Sequence, residues 1–218
     1  MPGLPFRDRA EAGRALAILL RSFHNSEGAR TIVLALPRGG VPVAFEVAQA
    51  LSAPLDVILV RKLGVPGQEE LAFGAIASGG IQVLNDDIVS AIGFTEADIA
   101  PIAAREAEAI ARAERLYRPG RPPLEIRGAR VILVDDGLAT GASMRAAARA
   151  VRKQAPTYVV IAAPVGARET CRSLRAEADE VLCVEMPEPF DAVGLWYRDF
   201  SQTTDEDVKA LLLRAARG

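Results

Sequence analysis

Short apolar runs alternate along this chain with segments of helical periodicity, and this alternation constrains the fold more than any other feature. The helical segments, near 41–51, 141–154 and 167–177, place apolar residues three or four positions apart. Runs that are almost wholly apolar are typical of strands buried on both faces. We therefore predict an α/β fold, a doubly wound and mostly parallel sheet with helices on both faces. The apolar runs are 31–36, 56–60, 130–134, 158–163 and 181–184.

Smaller elements are predicted around these units. The segment 8–23 carries leucines at helical spacing, which indicates a helix with Asp8 as its N-cap. Residues 95–98 resemble a capping box, but Pro101 would interrupt a helix begun there, so we predict a turn followed by a long helix over 102–117. The remaining predictions are a loop over 63–70 after Arg61 and Lys62, a hairpin or short edge strands from 73–77 and 81–84, a linker over 119–123 and a final helix from about Thr204.

The composition is that of a globular protein. With 218 residues, 50% of them hydrophobic, the chain can bury a sizeable core. We expect a single domain over 1–218, with a core over about 30–185 and a hood and tail over about 186–218. The formal net charge of -2 gives no basic excess for nucleic-acid binding. No apolar run approaches the roughly 18 residues of a membrane span, and the N-terminus lacks a signal-peptide pattern. We therefore expect a cytoplasmic protein with no membrane or nucleic-acid partner.

One histidine and two cysteines narrow the possible catalytic chemistry. His24 lies in a polar stretch that resembles a helix exit, which excludes Ser–His and Cys–His mechanisms because each needs a histidine base beside a nucleophile. Cys171 and Cys183 lack C-x-x-C spacing and a neighbouring Cys/His cluster, so neither a zinc site nor a disulfide framework is expected. We interpret them as reduced, structural thiols.

Residues 131–143 read Val-Ile-Leu-Val-Asp-Asp-Gly-Leu-Ala-Thr-Gly-Ala-Ser. A buried strand that ends in Asp135 and Asp136 places two carboxylates at the carboxyl edge of the sheet, where α/β proteins bind their ligands. Adjacent acids repel each other unless a cation or sugar hydroxyls share them. Residues 140–143 then open a helix, so their backbone amides can face a phosphate. The stretch predicts a site for a phosphorylated sugar.

Two further turns add anion-binding groups. Residues 37–40, Pro-Arg-Gly-Gly, also join a strand to a helix, and two such loops indicate a ligand with two phosphate groups. Arg61 and Lys62 follow another predicted strand and add cations. Taken singly, residues 37–40 are more often a plain tight turn than a phosphate site, and Arg61-Lys62 alone is a solvated pair. The acid pair alone also fits a phosphate-binding hydrolase or a receiver-like domain.

The stretch 131–143 resembles the 5-phosphoribosyl-1-pyrophosphate (PRPP) binding motif of type I phosphoribosyltransferases, an apolar strand followed by two acids and a small-residue phosphate loop. Leu-Pro-Arg-Gly-Gly at 36–40 stands at the place of that family's pyrophosphate loop, and Arg61-Lys62 at the place of its mobile catalytic loop. The resemblance covers residues 30–200. The overall pattern is similar to free-standing bacterial members of the family whose base substrate is unassigned. It implies the type I fold with a small hood built from the C- and N-terminal segments.

The resemblance also implies roles for the matching residues. Asp135 and Asp136 would hold the 2- and 3-hydroxyls of ribose, directly or through Mg²⁺. Arg38 would meet the pyrophosphate, at a loop where members often have a non-proline cis peptide, and Lys62 would close over the leaving group. Glu69 and Glu70 are interpreted as loop surface. The implied set is, for catalysis, Asp135, Asp136, Lys62 and Arg38, and for substrate binding, Ala139, Thr140, Gly141, Ala142, Ser143, Gly39, Gly40, Arg61, Trp196 and Tyr197.

These residues do not determine which nitrogenous base would accept the phosphoribosyl group. Ala139 stands where the 6-oxopurine branch commonly has an aspartate, and no lysine follows the strand 158–163, which disfavours hypoxanthine, guanine and xanthine. In this family a variable hood covers the base, and the aromatic-rich tail is the candidate here. Trp196 or Tyr197 would stack on a planar base or, equally, pack the tail onto the domain.

Two functions remain open at this point. The resemblance implies Mg²⁺-dependent transfer of the phosphoribosyl group from PRPP to a nitrogenous base, with release of pyrophosphate and no covalent nucleophile. The alternative is a PRPP- or nucleotide-sensing module without transfer. Ala139 favours the sensor, and Lys62 favours catalysis. Dimers are frequent in the family, so a homodimer stays open, although no residue points to one.

Overall fold

The structure is a computed structural model that describes residues 5–24 and 30–217, and a five-stranded sheet lies at its centre. The described strands are β1 (Thr31–Ala35), β2 (Leu55–Val57), β3 (Val60–Val65), β4 (Gln68–Ala77), β5 (Ile81–Leu84), β6 (Arg130–Val134), β7 (Tyr158–Val165) and β8 (Glu180–Glu185). The central sheet has the order β2-β1-β6-β7-β8, with every pair parallel. This confirms the predicted parallel α/β sheet.

Helices cover both faces of this sheet. The described α-helices are α1 (Arg9–Leu19), α2 (Gly40–Leu51), α3 (Asp86–Ile92), α4 (Glu96–Tyr117), α5 (Ala142–Arg152), α6 (Arg168–Leu174) and α7 (Asp205–Ala215). On one face α1, α2, α4 and α7 join a buried cluster that includes Val33 and Ile132. On the other face α5 and α6 pack on a cluster that includes Ile32 and Val131. Neighbouring residues of one strand therefore belong to opposite layers, as the doubly wound architecture requires.

A second sheet of three antiparallel strands, in the order β3-β4-β5, lies beside α5. The pairing of β4 with β5 confirms the predicted hairpin. The predicted loop over 63–70 is wrong, because β3 and β4 form another hairpin that turns at Pro66 and Gly67, where Gly67 has a φ of 78°. A Pro-Gly dipeptide suits a tight turn. The charged pair Arg61-Lys62 lies within β3, an edge strand that tolerates exposed charge.

The predicted break at Pro101 is also wrong. Helix α4 runs without interruption through Pro101, and the capping box between Thr95 and Asp98 is present. A proline removes the hydrogen bond to the carbonyl four residues earlier, here that of Ala97. Both Ala97 and Pro101 are exposed, so water can satisfy that carbonyl and the helix continues.

A buried ion pair joins the end of α4 to β2. The Arg118 and Asp56 side chains are almost fully buried, with 2.7 Å between Nε and Oδ1. Asp56 also accepts from the backbone N–H of Leu124 at 3.1 Å. The long helix, the linker over 119–123 and the edge strand β2 are therefore fixed to one another, because a buried charge must be fully paired.

The residues that precede α1 pair with the segment that follows β8. Phe6 N–H donates to the carbonyl oxygen of Trp196 at 2.9 Å, and Arg198 N–H donates to that of Phe6 at 2.8 Å. We call residues 5–8 and 187–203 together the hood. The helix predicted over 8–23 begins after Asp8, whose carboxylate accepts from Glu11 N–H as the predicted N-cap, and the final helix begins after Thr204.

The two cysteines lie against one turn of the chain. Cys171 of α6 and Cys183 of β8 are free thiols, as predicted, with their Sγ atoms 3.0 Å apart. A Cβ built on Gly166 would lie 2.6 Å from Sγ of Cys171. Glycine is therefore required where the chain passes from β7 to α6.

Candidate active site

The acid pair follows β6 at the carboxyl edge of the central sheet. The backbone N–H of Asp136 donates to Oδ1 of Asp135 at 2.8 Å. Asp135 lines a cavity of about 270 Å³ together with Ser143, Arg61 and Tyr117. Burial and the neighbouring Asp136 carboxylate raise the pKa of Asp135 well above its usual range. A carboxyl held at this edge can bind hydroxyl groups of a ligand.

The turn after β1 packs directly on these acids. A Cβ on Gly39 would lie 2.0 Å from Oδ2 of Asp136, and one on Gly40 would lie 2.7 Å from the carbonyl oxygen of Val134. Gly39 has a φ of -59°, which any residue can adopt. A glycine is therefore required at this position because Asp136 lies so close, and not because of the backbone angles. The peptide bond between Pro37 and Arg38 is cis, as the family resemblance implied. The turn and the acid pair therefore form one surface.

The loop over 139–143 leads from the acid pair into α5 and is open to solvent. Thr140, Ala142 and Ser143 are exposed, and Gly141, with a φ of 70°, is the N-cap residue of α5. Gly141 supplies no side-chain cap, and Ala142 N–H makes a long bond of 3.5 Å to the Thr140 hydroxyl. The first amides of a helix lack partners within the helix, so this loop can bind an anion.

Thr170 of α6 contacts this loop and is a residue that the sequence did not reveal. Its hydroxyl donates to the carbonyl oxygen of Ala139 at 2.5 Å. A Cβ on Gly141 would lie 2.7 Å from Cγ2 of Thr170. No local pattern reveals this contact, because 31 positions separate Thr170 from Ala139.

Arg61 lines the cavity, Arg38 follows its lining residue Pro37, and each arginine lies near an acid. Arg38 lies 3.7 Å from Oδ1 of Asp205, to which the Tyr117 hydroxyl donates at 2.6 Å. Burial and this hydrogen bond raise the pKa of Tyr117 to about 12. Nε of Arg61 lies 2.6 Å from Oε2 of Glu106 in α4, and Arg61 lowers the pKa of Glu106. Arg61 therefore has a hydrogen-bonded carboxylate partner, whereas the contact of Arg38 with Asp205 is longer and partly exposed.

Lys62 lines a neighbouring cavity. This space of about 180 Å³ is also bordered by Ser143, Arg145 and Arg149. Arg149 pairs with Glu177 at 2.7 Å. Arg61 lines the cavity of Asp135 and Lys62 lines this neighbouring one, and Ser143 belongs to both. Arg61 and Lys62 also line one further cavity together.

The two aromatic candidates of the tail have different surroundings. Tyr197 is buried, and its hydroxyl donates to the carbonyl oxygen of Asp136 at 2.5 Å. Burial and the Asp136 carboxylate raise the pKa of Tyr197. Trp196 is half-buried and packs on a small cluster that includes Ala12 and Val165. Tyr197 thus contacts the acid pair directly, whereas Trp196 packs the hood onto the domain.

Arg9 is a second contact of the acid pair that the sequence did not reveal. Its Nε lies 2.8 Å from Oδ2 of Asp136, across 127 positions of sequence. Oδ2 of Asp136 is therefore turned towards Arg9 at the hood, whereas Asp135 lines the cavity. Glu69 and Glu70 belong to β4.

Comparison with known proteins assigns the chain to a family. The family described as "Phosphoribosyl transferase domain" matches residues 8–197. The chain belongs to the type I phosphoribosyltransferases. No helix among the described residues is long and apolar enough to cross a membrane.

The relatives of this phosphoribosyltransferase include one solved structure at high similarity. The crystal structure of TT1426 from Thermus thermophilus is 44% identical, covers 97% of this chain and 99% of that chain, and superposes with a TM-score of 0.86. AQ2163 from Aquifex aeolicus, at 14% identity, 85% coverage of this chain, 78% of that chain and a TM-score of 0.51, shares the fold.

Two curated relatives come from Mycobacterium tuberculosis, strains H37Rv and CDC 1551. Each carries the name "Putative phosphoribosyl transferase" and is 46% identical over 212 residues, which is 97% of this chain. The phosphoribosyltransferase chain spans 47% of their length, about half.

The described residues can be compared with the ligands that Mg²⁺ requires. The described residues contain no group of three or more His, Cys, Asp or Glu that could hold a metal ion. Asp135 and Asp136 offer two carboxylates, and Arg9 already pairs with Oδ2 of Asp136. Because Mg²⁺ binds through one or two carboxylates together with substrate phosphates and waters, this donor set is compatible with a phosphate-borne ion.

Proposed function

We propose that this phosphoribosyltransferase moves the phosphoribosyl group from PRPP to a nitrogenous base and releases pyrophosphate. The observation that carries the proposal is the shared cavity. Asp135 from the end of β6, Ser143 from the phosphate loop, Pro37 from the 37–40 turn and Arg61 from β3 all line it. One ligand with a sugar and two phosphate-bearing ends would meet each of these groups.

Binding of PRPP would divide among these elements. Asp135 and Asp136 would accept the ribose hydroxyls, because carboxylate oxygens accept hydrogen bonds from a diol. The amides of 139–143 would hold the 5-phosphate at the N-terminus of α5. The turn over 37–40, with Arg38, would meet the pyrophosphate beside the acid pair.

The transfer would need stabilisation of charge and no covalent intermediate on the protein. A base nitrogen forms the new bond to C1 as the bond from C1 to the pyrophosphate oxygen breaks. The pyrophosphate leaves with the electron pair, and the base loses one proton to solvent. Arg38, Arg61 and Lys62 would stabilise that departing charge. Mg²⁺ bound with PRPP would supply further neutralisation of the pyrophosphate. The remaining task of the protein is to position the base.

The acceptor is a nitrogenous base of open identity. Ala139 is exposed and carries no polar side chain, so recognition of the base would come from elsewhere, and the hood over the acid pair is the candidate. The tail exposes apolar side chains, with Leu195 67% exposed and Phe200 37% exposed. Such a surface suits the face of a planar ring.

Release of pyrophosphate tests the proposal. The protein would be incubated with PRPP, Mg²⁺ and single purine and pyrimidine bases, and pyrophosphate would be measured. We expect release that depends on at least one base and that Asp135→Asn lowers by about 10²-fold or more. Asp87→Asn, which removes an exposed carboxylate from α3, is the matched control and is expected to keep full activity.

The same experiment separates transfer from sensing. Saturable binding of PRPP without pyrophosphate release for any base would favour the sensing module. Absence of PRPP binding would contradict both functions.

A further inference from the structure

Arg9, the first residue of α1, is enclosed between the hood and the acid pair. Its side chain is 12% exposed, with Nε 2.8 Å from Oδ2 of Asp136. Nη1 donates to the carbonyl oxygen of Ser201 at 2.7 Å. The guanidinium lies 4.0 Å from the ring centre of Phe200. An arginine with a carboxylate, a carbonyl and a ring as simultaneous partners keeps little side-chain freedom, so it also restrains the carboxylate that it binds.

Asp136 is restrained from two other directions. Its Oδ2 is the atom that lies closest to Gly39, where a Cβ would be 2.0 Å away. Its carbonyl oxygen accepts from the buried Tyr197 hydroxyl at 2.5 Å. The carboxylate is thus placed between the 37–40 turn and Arg9, and its backbone is fixed to the hood. A change in Arg9 would therefore act first on the orientation of the Asp136 carboxylate.

The two segments of the hood meet beside this contact. Phe6 pairs with Tyr197, and Asp199 N–H donates to the carbonyl oxygen of Arg7 at 2.9 Å. Arg9 lies two residues further on and bonds to Ser201 on the tail. The pairing of the two hood segments is therefore continuous with the contacts that hold Asp136.

We propose that Arg9 is a positioning residue for binding of the phosphoribosyl group. Arg9 holds the Asp136 carboxylate in the orientation that accepts the ribose hydroxyls, and it couples this carboxylate to the hood. The inference rests on the proposed function. It differs from a purely structural role, in which Arg9 would anchor the hood and any effect on ligand binding would be independent of the charge of Asp136.

A double-mutant cycle on PRPP affinity tests this role. The dissociation constant of the Mg²⁺–PRPP complex would be measured by calorimetry for the wild type, Arg9→Gln, Asp136→Asn and the double variant. Loss of a charge-assisted hydrogen bond corresponds to about tenfold or more in affinity, so we expect Arg9→Gln to weaken binding by that factor in the wild type. In the Asp136→Asn background the same substitution is expected to change affinity by less than about twofold.

Two further variants sharpen the cycle. Arg9→Lys keeps the positive charge but replaces the guanidinium, which contacts both Asp136 and Ser201, with a single ammonium group. The PRPP affinity of Arg9→Lys is therefore expected to lie between those of Arg9→Gln and the wild type. Arg14→Gln removes another arginine of α1, which is half exposed and pairs with Glu46 at 3.2 Å. It is the matched control and is expected to bind PRPP as the wild type does.

The outcomes separate the inference from the proposed function. The positioning role would be overturned if Arg9→Gln weakened PRPP binding equally in both backgrounds, or if Arg9→Gln kept wild-type affinity. In either case, PRPP binding by the wild type would still support PRPP as the donor in the proposed function. Absence of PRPP binding by the wild type would overturn the proposed function, and the positioning role with it. Thermal unfolding of each variant shows that the compared proteins are folded.

Discussion

Gly39 shows at the scale of one residue how closely the site is packed. A Cβ added to Gly39 would lie 2.0 Å from Oδ2 and 2.7 Å from Cγ of Asp136. We predict that Gly39→Ala weakens PRPP binding by about tenfold or more, because the Asp136 carboxylate must move. The free energy of unfolding should fall by about 1–3 kcal/mol, the usual cost of overpacking. Calorimetry and urea unfolding measure the two effects.

Gly79 provides the control for this substitution. A Cβ there meets nothing within 4 Å, but the φ of 78° makes alanine strained. Gly79→Ala should therefore lose about 1–2 kcal/mol of stability and keep its PRPP affinity. Unchanged PRPP binding in Gly39→Ala would show that the 37–40 turn does not press on the acid pair in solution.

At the scale of an element, Pro101 lies within α4 and removes one hydrogen-bond donor from it. Pro101→Ala returns an N–H for the carbonyl of Ala97, so we predict a gain of about 1–3 kcal/mol in the free energy of unfolding, measured by urea titration. Pro42, the third residue of α2, is the control. An N–H at that position has no partner within the helix, so Pro42→Ala should have a smaller effect. Equal gains from the two substitutions would refute this explanation.

The elements also show what the sequence could reveal about the fold. Strands β1, β6 and β7 are buried on both faces, so their sequences are continuous apolar runs that could be recognised directly. The hairpin β3–β4 could not, because Arg61 and Lys62 interrupt the apolar pattern of an edge strand. Its available signal was the turn dipeptide Pro66-Gly67.

At the scale of the whole molecule, the site brings together segments that are far apart in the chain. Asp135 and the 139–143 loop follow one strand and could be read from a single motif. Arg9 and Thr170 reach that motif across 127 and 31 positions. Such contacts depend on how helices α1 and α6 pack on the sheet, so local periodicity contains no information about them.

The central claim is that PRPP binds across the acid pair and the two loops, and its most direct test is a calorimetric titration with PRPP and Mg²⁺. The wild type and Asp87→Asn are predicted to bind one PRPP per chain with equal affinity. Asp135→Asn, which removes the carboxylate that lines the central cavity, is predicted to bind at least about tenfold more weakly. No binding by the wild type, or wild-type affinity in Asp135→Asn, would contradict the account.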